Sequence, residues 1–289
     1  MRSDNARRSS RSMARRAGLL ALCLGLVLTL LGCLPDDASI RRTQVRQATF
    51  ALDGVPTLSA LSANGAVTVQ GVEGQDQVSV TATLHARGAT TAQADERLEQ
   101  IVLSLEQDGN RVTLAYRTSD QPADVRRYCG VDFLVALPVR AEVDLQTSNG
   151  AITAKDLVGG LTARTSNGAI EVTNSQGNLR LDTSNGAVRA LGVEGAVDIE
   201  TSNGSIQYQG RPVGAAHTLR TSNGRIDVTL PGNAALLISA HTSNGTISTN
   251  LPLSGDTQGQ DWSALLNPPS AATLDLSTSN GSIWIGGAS

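Results

Sequence analysis

The stretch Leu161-Thr162-Ala163-Arg164-Thr165-Ser166-Asn167-Gly168-Ala169-Ile170-Glu171-Val172 returns 18 residues later as Leu179-Arg180-Leu181-Asp182-Thr183-Ser184-Asn185-Gly186-Ala187-Val188-Arg189-Ala190. Apolar residues two apart on each side of a Thr-Ser-Asn-Gly break describe two short strands, each with one face inward, joined by a tight turn. Outward from this pair the tetrapeptide recurs, with asparagines at Asn149, Asn167, Asn185, Asn203, Asn223, Asn244 and Asn280 and spacings of 18, 18, 18, 20, 21 and 36. A degenerate copy, Ser62-Ala63-Asn64-Gly65, stands alone near the start. These eight asparagines are the candidate turn residues. Asn and Gly suit such a turn because both tolerate positive φ.

Six residues before each asparagine come Leu58, Val143, Leu161, Leu179, Val197, His217, Ile238 and Leu274, and three after come Val67, Ile152, Ile170, Val188, Ile206, Ile226, Ile247 and Ile283. A fixed period of this length is what a solenoid needs, because each coil buries its apolar face only by stacking on its neighbours. The expectation is an all-β parallel solenoid whose asparagines stack along one edge, their side chains bonding up and down the column. The same pattern also fits a meander of hairpins, in which Thr147 would pair antiparallel with Ile152. A membrane barrel fits poorly, since the strands are about five residues long and spanning strands need roughly 9 to 11.

Residues 1–32 read as a secretory signal. Arg2, Arg7, Arg8, Arg11, Arg15 and Arg16 precede an apolar run from Leu19 to Leu31, which ends at Leu30-Leu31-Gly32-Cys33. That ending resembles the bacterial lipobox, which makes Cys33 the expected lipidation site and a membrane the expected partner through that anchor. The leader holds six of the 23 basic residues and one of the 26 acidic ones, so the mature chain carries a net charge of −8. That balance speaks against nucleic acid as a partner. With Cys23 in the leader and Cys33 lipidated, Cys129 is the one remaining thiol, which reads as a small buried hydrophobe.

Residues 33–49 read as a polar tether, with folded sequence from about Thr49-Phe50. Residues 50–289 then form one domain, of which 50–140 are N-terminal coils and cap and 141–289 the main array. Within the first part, Thr91 to Glu99 is rich in helix formers. Ile101–Leu105, a turn at Asp108-Gly109-Asn110 and Arg111–Tyr116 read as a hairpin. Trp262 and Asn267-Pro268-Pro269 fill the long gap before Asn280 and read as an inserted loop.

An isolated Asn-Gly coil, a helix-containing excursion, an apolar strand ending in Leu137-Pro138-Val139 and then repeated Thr-Ser-Asn-Gly-x-Ile together resemble the bacterial putative-adhesin domain of unknown function. The resemblance covers residue 50 to the end. It implies a right-handed parallel β-solenoid in an exported or surface-anchored protein, and it brings no catalytic residues with it.

The residues themselves point to no cofactor, metal or catalytic set. His85, His217 and His241 are the only histidines, and His217 falls in an inward column, which reads as core. Asp182, Asp198, Glu200 and Asp227 fall on outward positions of neighbouring strands, where solvated charge is the ordinary expectation. A Ser-His-Asp set could be assembled from scattered residues in almost any chain of this length. Three classes of function follow. The first is a non-catalytic scaffold anchored in the cell envelope, at the cell surface or in the periplasm, whose repeated Thr, Ser and Asn groups face outward and contact wall, glycan or envelope protein. The others are an envelope sensor or regulatory lipoprotein, and a β-helix polysaccharide lyase or hydrolase.

Overall fold

The structure is a computed structural model that describes residues 40–118, 126–270 and 272–288. The chain opens with β1 (Ile40–Ala51), β2 (Thr57–Ser62), β3 (Val67–Val72), β4 (Gln77–Gly88), α1 (Thr91–Glu99), β5 (Ile101–Asp108), β6 (Arg111–Thr118) and β7 (Cys129–Pro138). Five coils follow, each a pair of strands around one Asn-Gly turn. They are β8 (Glu142–Thr147) with β9 (Ile152–Lys155), β10 (Leu161–Thr165) with β11 (Ile170–Thr173), β12 (Leu179–Thr183) with β13 (Val188–Gly195), β14 (Val197–Thr201) with β15 (Ile206–Pro212), and β16 (Ala216–Thr221) with β17 (Ile226–Leu230). The C-terminal part holds β18 (Leu236–Thr242), β19 (Ile247–Thr249), β20 (Ser254–Asp256), β21 (Asp261–Leu266), β22 (Thr273–Thr278) and β23 (Ile283–Gly287).

The two strands of each coil belong to different sheets. Thr147 lies in the 12-stranded sheet and Ile152 in the 11-stranded one, so the turn links the sheets and does not close a hairpin. Within each sheet the coils pair in parallel and in register, Leu161 with Leu179 and Val143, Ile170 with Val188 and Ile152. This is a parallel β-solenoid. The apolar columns face each other between the sheets, and Leu58, Leu145, Ile152, Ile170, Ile199 and Ile206 are sealed from solvent. A short third ladder joins Arg140, Val158, Gln176 and Glu194. Beside it runs an inward column of Leu157, Ser175 and Val193. Ser175 satisfies its hydroxyl by donating to Thr173 O at 3.0 Å.

Antiparallel strands cover most of the ends of the stack. At the N-terminal end β4 and β1 extend one sheet and β5 the other, while α1 and the β5–β6 hairpin fall where the helix formers and the turn put them. The folded chain starts earlier than residue 49. Residues 40–49 of the expected tether are part of β1, an edge strand paired along its whole length with β4. An edge strand with charged residues on both faces carries little apolar alternation, and that hid it.

The C-terminal part corrects the expected loop. Residues 254–266 form β20 and β21, which pair antiparallel beside β18. The chain then doubles back. β22 inserts between β16 and β18, and β23 between β17 and β19, so the last coil in sequence is the second to last in the stack.

Candidate functional site

The Thr-Ser-Asn-Gly edge is the most regular surface of the molecule, and each of its four residues has a separate task. The threonine points inward. Thr147, Thr165, Thr183, Thr201, Thr221, Thr278 and Thr242 are all buried, and each hydroxyl donates to a glycine carbonyl of the adjoining coil at 2.8–3.0 Å. In the degenerate copy Ser62 does the same with Val131 O. The serine carbonyl accepts the asparagine N–H of the next coil, as Ser166 O does from Asn185 N and Ser184 O from Asn203 N.

The asparagine side chains form one continuous ladder. Asn149 Nδ2 donates to Asn64 Oδ1, Asn167 to Asn149, Asn185 to Asn167, Asn203 to Asn185 and Asn223 to Asn203, at 2.7–2.9 Å. Asn280 then donates to Asn223, and Asn244 to Asn280. The order follows the stack, not the chain. At the far end Asn64 Nδ2 donates to the carbonyls of Arg126 and Cys129, which closes the ladder on backbone. The glycine of the motif needs correction. Of the motif glycines only Gly65 has a positive φ; the others are required because the backbones of adjoining coils meet there. Serine and asparagine side chains of the seven full copies are exposed and repeat along the edge at the strand spacing of about 4.8 Å.

The histidines separate into three environments. His217 is buried, and its Nδ1 accepts the Val197 N–H at 3.4 Å. In the neighbouring coils the same N–H bonds a backbone carbonyl, Leu179 N to Ala196 O. The 20-residue coil breaks that pairing, since β14 and β16 register only from Asp198 and Thr218, and the imidazole replaces the missing acceptor. Among the described residues its Nε2 makes no hydrogen bond, and burial, only partly opposed by the backbone of Gly214, lowers its pKa below the ordinary histidine value. His85 lies beside Asp132, which also meets Arg41 and the Ala66 N–H; these partners hold the carboxyl below the usual range.

The third histidine completes a Ser-His-Asp arrangement that the sequence reading left unassembled. His241 Nδ1 lies 2.6 Å from Asp261 Oδ1, and Ser243 Oγ 3.4 Å from His241 Nε2. The polarity is that of a hydrolytic triad. The surroundings are not, because Asp261 is 83% exposed and the backbone N–H groups of Ser243 and Asn244 already donate to Thr278 and Ser279 of the next coil. They cannot turn to stabilise a developing oxyanion without breaking the stack.

The outward carboxylates are spread along the strands, two of them in ion pairs. Asp198 meets Arg180 at 2.8 Å, Asp227 meets Arg225 at 2.5 Å, and Asp182 and Glu200 are neighbours in register between Arg164 and Arg220. Such exposed pairs contribute little stability. Cys129 is buried, and desolvation raises its thiol pKa. Among the described residues no group of three or more His, Cys, Asp or Glu is placed to hold a metal ion, and no helix is long and apolar enough to cross a membrane. Cys33 lies outside the described residues.

Stacked coils, in-register parallel sheets and a threonine-asparagine-glycine edge define a β-solenoid built on its turns. The family model of the Toastrack DUF4097 domain matches residues 57–286, and the chain belongs to that family. It is also similar to a solved "putative cell adhesion protein" of Clostridium sporogenes, at 11% identity over 86% of this chain and 100% of that one, with a TM-score of 0.39. A "putative adhesin" of Parabacteroides merdae matches at 11% identity over 85% and 97%, with a TM-score of 0.37. A "putative lipid binding protein" of Parabacteroides distasonis matches at 9% identity over 86% and 97%, also with a TM-score of 0.37. Nothing among curated proteins matches the chain.

Proposed function

We propose that this chain is an exported, lipid-anchored and non-catalytic scaffold that makes its contacts at the cell surface or the periplasmic face of a bacterial membrane. The observation that carries this reading is the edge itself. Eight coils lock into one column through the asparagine ladder, and the exposed serine and asparagine groups then offer many identical weak contacts on a rigid support. Repetition of this kind gains strength through multivalency, and it suits wall polymers, glycans or envelope proteins that repeat as well. In this reading residues 1–32 direct export, and Cys33 carries the acyl chains, of which a soluble domain needs two or more for stable anchoring.

The test is a binding screen of the full chain against glycans, isolated cell wall and envelope extract, beside a variant in which Ser166, Ser184 and Ser202 are replaced together by bulky glutamines. Binding that the triple variant loses supports the edge as the contact surface. Cleavage of a polysaccharide by the purified chain, abolished by one carboxylate substitution such as Asp198→Asn, would overturn it. For the anchor, Cys33→Ala should leave the protein unprocessed or soluble. Unchanged membrane fractionation and processed mass would show that no lipid is attached there.

A further inference from the structure

We infer that the N-terminal end of the stack is a binding cleft for a single-chain amphiphile with an acidic head, a molecule of the fatty-acid type. This goes beyond the scaffold reading and depends on neither the edge nor the anchor. β1 and β5 are the end strands of the two sheets, and between them lies a cleft of about 630 Å³. That is within the range of roughly 300 to 1,000 Å³ typical of small-molecule sites. One wall is apolar. Leu98, at the end of α1, and Ile101, Leu103 and Leu105 of β5 line it, with Leu84 of β4 as its floor. Ile101 and Leu84 are nearly sealed, whereas Leu98, Leu103 and Leu105 are only partly covered by the core.

The facing wall is polar. Gln44 pairs across the sheet with Leu84, and Arg46 with Ala82, so both share the inner face with core residues. Further along the same face Phe50, paired with Val78, packs against the core. Inward-pointing polar residues at 44 and 46 keep this edge strand from pairing further, and they also set a polar wall opposite the leucines. Arg46 is also unlike its neighbours. Arg42 pairs with Asp95 and Arg41 with Asp132, whereas among the described residues the Arg46 guanidinium bonds only Val45 O, at 3.5 Å, and pairs with no carboxylate. Glu99 stands at the helix end of the cleft, which places an acidic head at the Arg46 wall. An alkyl chain laid along the leucine wall would remove that apolar surface from water, while its head pairs with the free guanidinium, an arrangement that neither a sugar nor a basic ligand would satisfy.

The probe is 11-dansylaminoundecanoate, titrated into the full chain by fluorescence and displaced by dodecanoate. Binding to the apolar leader is common to every variant and drops out of the comparison. Leu103→Trp, which fills the cleft, should weaken binding by about tenfold or more, and Leu105→Glu is a second blocking variant whose melting curve is checked in parallel. Arg46→Met should weaken dodecanoate by about tenfold and leave dodecanol unaffected. The inference is overturned if both folded blocking variants bind as the parent does, if dodecanol displaces the probe from the parent as well as dodecanoate, or if only phosphatidylglycerol vesicles displace it.

Discussion

A β-carbon at position 186 would lie 1.8 Å from the carbonyl oxygen of Gly168, one coil away. The same collision, at 1.8–2.0 Å, recurs for Gly150 on Gly65, Gly168 on Gly150, Gly204 on Gly186, Gly224 on Gly204, Gly281 on Gly224 and Gly245 on Gly281. The turn glycine is therefore a matter of how closely two coils approach. Gly186→Ala should separate them, break the threonine and asparagine bonds nearby, and cost about 3 kcal/mol or more. Gly232, where an added β-carbon would meet nothing within 4 Å, is the control, and Gly232→Ala should change stability by less than about 0.5 kcal/mol. Urea unfolding of the two variants decides it, and equal stabilities would refute the close-approach account.

Thr183 is 1% exposed, and its hydroxyl reaches Gly168 O at 3.0 Å. Thr183→Val keeps the shape and removes the donor, so it should cost about 1 to 2 kcal/mol, while Thr183→Ser keeps the bond and should cost less. A valine variant as stable as the parent in urea would mean that the hydroxyl serves only to fill space.

Truncation after Ser270 removes β22 and β23, which lie inside the stack between β16–β17 and β18–β19. In a solenoid each coil is stabilised by its neighbours, so losing an interior coil should also unfold the 236–266 coil. Hydrogen exchange is the measurement. Amides of Ile238 and Ala240 should lose protection in the truncated chain, and retained protection would show that the outer coil can dock without the inserted one.

His217 is buried neutral, with a folded pKa below its unfolded value of about 6.5. The unfolded chain then binds more protons than the folded one just below that value, so stability is full above it and falls as pH drops toward the folded pKa. The melting temperature should decline more between about pH 7 and 5 in the parent than in His217→Gln, whose amide oxygen can still accept the Val197 N–H. Parallel curves for the two proteins would remove His217 as the cause.

Much of the candidate site was legible in the repeat. The period placed the asparagines in one column, and alternation around each turn identified the inward leucines and isoleucines. The buried threonine was missed because a hydroxyl residue beside a turn ordinarily reads as exposed; only the neighbouring glycine carbonyl gives it a partner. His241 and Asp261 met across β18 and β21, in a stretch whose mixed composition concealed a strand. The cleft residues Gln44 and Arg46 lay in what read as a tether, since polar residues on an edge strand carry no periodic signal.

What the sequence determined by itself is the unit: two short strands about a Thr-Ser-Asn-Gly turn, the helix at 91–99 and the hairpin that follows it. These depend on contacts within a few residues or on a period that copies itself, so local spacing encodes them. The order of the units was decided only in the tertiary structure. Asn280 bonds Asn223 and Asn244 because the final coil inserts between two earlier ones, and coils with near-identical turns and columns offer near-identical stacking surfaces. Which coil meets which is then settled by the ends of the stack, where β18 takes β21 on its outer side and leaves its inner side for β22. Such long-range choices depend on the whole assembly of edges, and no single segment carries them.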